Sequence, residues 1–183
     1  MLIDLTVKLT KELIARIPGF TQSALAGHVG THFDGMGKEF PLAYTRRPAV
    51  LFDVTHVRGR DIEAADIDLS RVAAGTFVAF RTGFMDEAGY ASKAYYAEHP
   101  QLSRALIESL CALGVSIIGV DCAGVRRGRE HTPMDQYCAD RGVFVVENLC
   151  ALDAIGADAF TAHTYPLRIE GITGLPCRVV AEV

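Results

Sequence analysis

An α/β domain built on a parallel or mixed sheet is the fold class this sequence predicts, and three observations lead to it. Short β-branched and aromatic runs recur along the 183 residues, several of them apolar at consecutive positions, as in strands covered on both faces. Helical patterns fall between the later runs, giving strand, helix, strand, helix, strand. Half the residues are hydrophobic and the formal net charge is only −4. A globular chain of this length buries roughly 70% of the surface its unfolded form exposes. No linker, repeat or low-complexity stretch divides it, so residues 1–183 are expected to form a single domain.

The elements follow in order. Strands are expected over Val50–Val54, Thr76–Phe80, Val115–Asp121, Val143–Glu147 and Cys177–Val183. Ser103–Leu113 places Leu106, Leu110 and Leu113 on one stripe, and Gly114 is the natural helix stop. Thr132-Pro133 reads as N-cap and first helical position of a helix that runs through Tyr137 and ends at Gly142. Gly171-Ile172-Thr173-Gly174 separates Thr161–Ile169 from the final run, which predicts a closing hairpin.

Composition removes several function classes. Arg126, Arg127 and Arg129 form the densest positive cluster, too small a footprint for nucleic acid. The five cysteines (Cys111, Cys122, Cys138, Cys150, Cys177) lack CxxC spacing and read as reduced thiols. The start, MLIDLTVKLT, has no charged region followed by an apolar one, and every apolar run is broken well before membrane-spanning length. A cytoplasmic protein is expected, with neither nucleic acid nor membrane as partner. Nucleophile-elbow, Walker and dinucleotide-binding glycine motifs are all missing.

Chemistry concentrates in His28-Val29-Gly30-Thr31-His32-Phe33-Asp34. In an extended segment, His28, His32 and Asp34 would share one face, and Gly30 would leave space for an ion near the backbone. Two imidazoles and a carboxylate suit Zn²⁺ or another borderline divalent ion. Asp121 and Glu147 end apolar strands and are candidates for the same site. Asp121 reads more readily as a helix cap, whereas a carboxylate closing the run Val143–Val146 is costly unless paired or bound to a cation. Cys122, Tyr95, Tyr96, His99, His56 and His163 read as structural.

Taken in order, these residues resemble the cyclase-like metal-dependent hydrolases, a family that includes bacterial kynurenine formamidase. Residues 28–34 match its His-x-Gly-Thr-His-x-Asp signature. Further matches run nearly end to end: Ile3-Asp4-Leu5, Arg81-Thr82-Gly83, His99-Pro100, Gly119-Val120-Asp121, Glu147-Asn148-Leu149, and Pro166-Leu167 with Gly171, Gly174, Pro176 and Arg178. The resemblance implies a swivelling β/β/α architecture with a mixed sheet and flanking helices. It also implies a divalent metal, Zn or Mn, and a homodimer or homotetramer.

Two departures stand out. The family continues its loop as Asp-x-Pro-x-His, but here Met36 and Lys38 take the places of proline and histidine. It also places a metal-binding histidine twelve residues before the glutamate, where this chain has Asp135. By resemblance, His28, His32 and Asp34 hold one ion, and Asp34, Asp135 and Glu147 a second. Asp135 reads equally as a capping group in Thr132-x-x-Asp135, and His131 as a substitute imidazole. Lys38 is a catalytic candidate beside Asp34, as a cationic group facing an anionic substrate or as a base, against a surface pair with Glu39. The resemblance implies a hydrolase of a small amide, formamide (arylformamidase-like) or lactone, working through a metal-activated water. The rival is a non-catalytic member that binds a metal or small ligand.

Overall fold

The computed structural model describes residues 1–183. In chain order the elements are β1 (Leu2–Asp4), α1 (Lys11–Ile14), α2 (Phe20–Leu25), β2 (His32–Asp34), β3 (Arg46–Asp53), β4 (Phe77–Arg81), α3 (Phe84–Ala88), α4 (Lys93–Glu98), α5 (Arg104–Ala112), β5 (Ile117–Val120), α6 (His131–Ala139), β6 (Phe144–Glu147), β7 (Ala159–Pro166) and β8 (Gly174–Glu182). The strands lie in the order β1-β8-β2-β6-β5-β4-β3-β7, and β7 pairs again with β8. That last pairing closes seven strands into a barrel, with β1 added alongside β8. Strands β3 to β6 are mutually parallel and joined by crossovers; β2, β7 and β8 pair antiparallel.

The consecutive apolar runs have a direct explanation in this closure. Along β4, Phe77 and Ala79 point into the barrel, while Val78 and Phe80 point out beneath the helices. The same division puts Ile117, Phe144 and Val146 inside and Ile118, Val120 and Val145 outside. Both faces are dry, so nothing in these strands alternates with polar residues. Helices α5 and α6 cover the outer face through Leu106, Ile107, Leu110, Met134 and Cys138. By contrast, β7 and β8 bury alternate residues only and leave their other face to solvent. No helix is long and apolar enough to cross a membrane.

The helix after β5 departs from the sequence expectation. It begins at His131, one residue ahead of Thr132, and follows a 3₁₀ turn over Gly128–Glu130. Pro133 is therefore the third helical residue, where a missing N–H still costs nothing because first-turn donors have no intrahelical acceptor. Asp135 lies past that turn and cannot cap it. It is 2% exposed, on the helix face turned toward the sheet.

Candidate metal centre

Register brings the site together. Antiparallel pairing sets His32 opposite Glu147, with Phe33 opposite Val146 and Asp34 opposite Val145. Phe33 and Val146 fill the barrel, so His32, Asp34 and Glu147 project from its outer face toward α6. His32 Nε2 lies 3.7 Å from Asp34 Oδ1 and 3.8 Å from Glu147 Oε2. Helix α6 answers from the other side: His131 Nε2 is 3.4 Å from Asp135 Oδ2 and 3.6 Å from Glu147 Oε1. Two groups of potential ligands result, His28/His32/Asp34 and Asp34/His131/Asp135/Glu147, each with its ligand atoms within 4.8 Å of one another. Asp34 belongs to both.

His28 reaches this centre differently from the sequence expectation. The segment is extended only over His32–Asp34; Gly30 turns at φ +64°, and the side of it that lacks a Cβ faces Leu9 rather than the ligands. A bend, not strand alternation, therefore delivers the imidazole. Its Nδ1 sits 3.1 Å from both Asp34 Oδ1 and His32 Nε2, and its Nε2 bonds the Thr173 hydroxyl at 2.8 Å. Backbones meet closely behind it: a Cβ on Gly27 would fall 1.9 Å from the Gly174 carbonyl oxygen.

Asn148 locks the loop, and its role was not drawn from the sequence beyond its place in Glu147-Asn148-Leu149. It adopts φ +60°, a conformation asparagine tolerates better than most residues. Its amide donates to the Gly30 carbonyl at 2.9 Å, and its own carbonyl accepts from the Thr31 hydroxyl at 2.7 Å. Tyr95 donates to its side-chain oxygen at 2.8 Å, and Tyr90 accepts from the Gly30 N–H at 2.8 Å. His32 Nδ1 also donates to the Gly30 carbonyl, at 2.9 Å, which leaves the Nε2 lone pair facing the carboxylates. Metal-bound histidines are oriented in this way. Neither tyrosine carried a sequence signal.

Lys38 is not among the converging groups. Met36 at φ +49° and Gly37 at φ +76° turn the chain after Asp34, and the Lys38 ammonium lies 2.8 Å from Asp140 at the far end of α6, about half exposed. The surface pair with Glu39 does not form either, since Glu39 meets Arg168 at 2.8 Å. A groove of about 740 Å³ adjoins Lys38, Phe40, Leu42, Tyr165 and Leu167 and includes none of the clustered ligands. Asp121 is a structural cap: its carboxylate accepts from the Thr82 N–H and hydroxyl and from the Gly83 N–H. The Cys122 thiol is buried toward the Gly124 carbonyl.

The electrostatics of the centre suit a cation. Asp34 Oδ2, Asp135 Oδ1 and Glu147 Oε1 are buried with no hydrogen-bond partner, an arrangement that a divalent ion with oxygen ligands would satisfy. Burial, with the charges of Asp34 and Asp135, pushes the Glu147 carboxyl well above its ordinary range. Burial and the Asp34 charge do the same to Asp135. Burial also opposes ionisation of Asp34, but the His28 hydrogen bond and the His32 charge hold its pKa below the usual value. Burial lowers the pKa of His32 against the opposing charge of Asp34, which favours the neutral form that binds metal.

A pH dependence follows. Asp135 and Glu147 have folded pKa values above their reference values of 3.8 and 4.5. The stability they contribute to the ion-free chain is present below those references and lost as pH rises through the raised values. His32, depressed below 6.5, acts oppositely: its contribution is present above that reference and lost as pH falls through the depressed value. A bound cation removes the carboxylate penalty. Stabilisation by added Zn²⁺ or Mn²⁺ should therefore grow from pH 5 to pH 7.5, with protons released on binding. Calorimetry in buffers of different ionisation enthalpy measures that release, and zero release at pH 6 would contradict it.

Comparison with known proteins places the chain among relatives. A family model described as "Putative cyclase" matches residues 3–127. A search of curated proteins finds no match. Among solved structures, a potential metal-dependent hydrolase with cyclase activity superposes with a TM-score of 0.77 at 22% identity, covering 99% of this chain and 96% of its own. A structure described as a predicted metal-dependent hydrolase from Bacillus stearothermophilus gives 0.74 at 21%, over 99% and 97%. An isatin hydrolase bound to the product analogue thioisatinate gives 0.72 at 23%, over 84% and 71%. The fold is shared with all three.

Proposed function

Since the chain belongs to the putative cyclase family, we propose that it is a metal-dependent hydrolase of a small amide, formamide or lactone. One observation carries this reading: three buried carboxylates with unpartnered oxygens converge on three imidazoles at one centre. His28, His32 and Asp34 would hold one ion, with Asp135 and Glu147 serving a second that shares Asp34. When bound, Zn²⁺ or Mn²⁺ would supply Lewis acidity, polarising a carbonyl and lowering the pKa of a water. The chain's own part is positioning. Asn148, Thr31 and the Gly30 carbonyl fix the His32 ring, and the dry barrel wall behind Phe33 excludes bulk water from one side of the centre.

The isatin hydrolases of the same fold support a small cyclic amide as one substrate class. The test is hydrolysis of a formyl-aniline, a cyclic amide and a lactone by protein stripped with chelator and reloaded with Zn²⁺ or Mn²⁺. Turnover of at least one, lost on stripping and regained on reloading, is expected. No turnover by a protein that nonetheless binds metal would favour the second reading, a non-catalytic metal- or ligand-binding member. The distant Lys38 favours that reading, because no lysine then assists at the centre. The proposal extends to self-association through the exposed Leu42, Tyr165 and Leu167; light scattering at the 19.8 kDa monomer mass would rule that out.

A further inference from the structure

We propose that His131 is the single nitrogen donor of a second ion site, completed by Asp34, Asp135 and Glu147. This makes that site richer in oxygen than the neighbouring one, which has two imidazoles, and suits it to Mn²⁺. The inference rests on the metal-centre reading above and adds to it a ligand and an ion preference.

Four observations bear on His131. It stands one helical turn before Asp135 on the same face of α6, so both side chains meet Glu147 from the helix side. Its Nδ1 donates to the Arg126 carbonyl at 3.0 Å, which leaves Nε2 with its lone pair toward Asp135 and Glu147. A backbone carbonyl in that position is the usual orienting partner of a metal-bound imidazole. The ring needs room that only glycine leaves: a Cβ on Gly124 would lie 2.5 Å from Nδ1 and 2.6 Å from the adjoining ring carbon. Finally, Asp135 Oδ1 and Glu147 Oε1 are buried without partners beside it, and the His131 side chain is 30% exposed, which leaves that flank of the centre open to solvent.

The donor sets then differ. His28, His32 and Asp34 offer two nitrogens and one oxygen; the second site offers one nitrogen and three carboxylates. Carboxylate-rich sites suit harder ions such as Mn²⁺, and imidazole-rich ones suit Zn²⁺. Zn²⁺ should keep the smaller advantage over Mn²⁺ at the second site.

The test uses the full chain stripped with chelator. Wild type should bind two Mn²⁺ per chain, and Zn²⁺ titrated into that protein should displace the ion of the imidazole-rich site before that of the second. His131→Ala and His131→Gln should each retain one ion and bind the second more weakly, by more than the roughly 10–100-fold that loss of a partner outside the ligand shell costs. Gly124→Ala, which removes no ligand but displaces the ring, should weaken the same equivalent. With Zn²⁺ alone at saturation, the ¹⁵N resonance of His131 Nε2, assigned by its absence in His131→Gln, should shift. Two ions held at unchanged affinity by folded His131→Gln would overturn the proposal and leave the metal centre standing. A single ion in wild type would overturn it as well. No ion in wild type would defeat the metal-centre reading itself.

Discussion

Asp34→Asn should leave the folded chain unable to retain either ion. The substitution keeps the shape of the side chain and removes the one carboxylate common to both ligand groups. Each site loses a charged donor, so affinity at both should fall by more than the roughly 10–100-fold seen when a partner outside the ligand shell is removed. Any metal-dependent rise in melting temperature should vanish, and hydrolysis with it. The fold should survive, because Asp34 is one of the charges that hold Asp135 and Glu147 protonated in the ion-free chain. Circular dichroism checks the fold and elemental analysis the ion content. A variant that keeps two ions would show that Asp34 bridges nothing.

Phe33→Ala should cost about 3–5 kcal/mol of stability, as truncation of a buried phenylalanine does when the surroundings cannot collapse. Phe33 is fully buried, with ring centres 4.7 Å from Phe40 and 6.5 Å from Phe144. It lies between His32 and Asp34 on a strand of only three residues, so the cavity would open directly behind both ligands. Chemical unfolding measures the loss, and Phe33→Leu should show less of it. A cost below about 1 kcal/mol, less than truncations of this kind show, would mean that the barrel interior does not depend on this ring.

Strands β3 to β6 were legible because both of their faces are dry, which writes unbroken apolar runs such as Val143–Val146 into the chain. The hairpin was legible from its glycines. Strand β2 was not, since its three residues are hidden inside a motif whose spacing suggested a longer extended segment. Helices α1 to α4 span four to six residues each, too few turns for a period to show. At the candidate site, residue types were visible but their directions were not. Whether Asp135 capped a helix or faced the sheet depended on where α6 began, a difference of two residues. Lys38 depended on two positive φ angles, and a Met at one of them gave no warning. Asn148 acts through backbone groups of a loop more than a hundred residues away, a relation no local pattern carries.

Closure of the barrel also bears on how copies of the chain can meet. A strand bonded on both sides offers no free N–H or carbonyl row to a neighbour, and exposed rows are what template edge-to-edge aggregation. Here β7 and β8, which would be the rims of an open sheet, are joined along Thr161–Pro166 and Cys177–Glu182. The one unpaired margin is that of β1, three residues long. Strand addition and runaway fibre growth are thus disfavoured by topology, and contact between copies is left to side chains. Mutations that split the β7–β8 seam should reveal themselves first as insolubility, before any loss at the distant candidate metal centre.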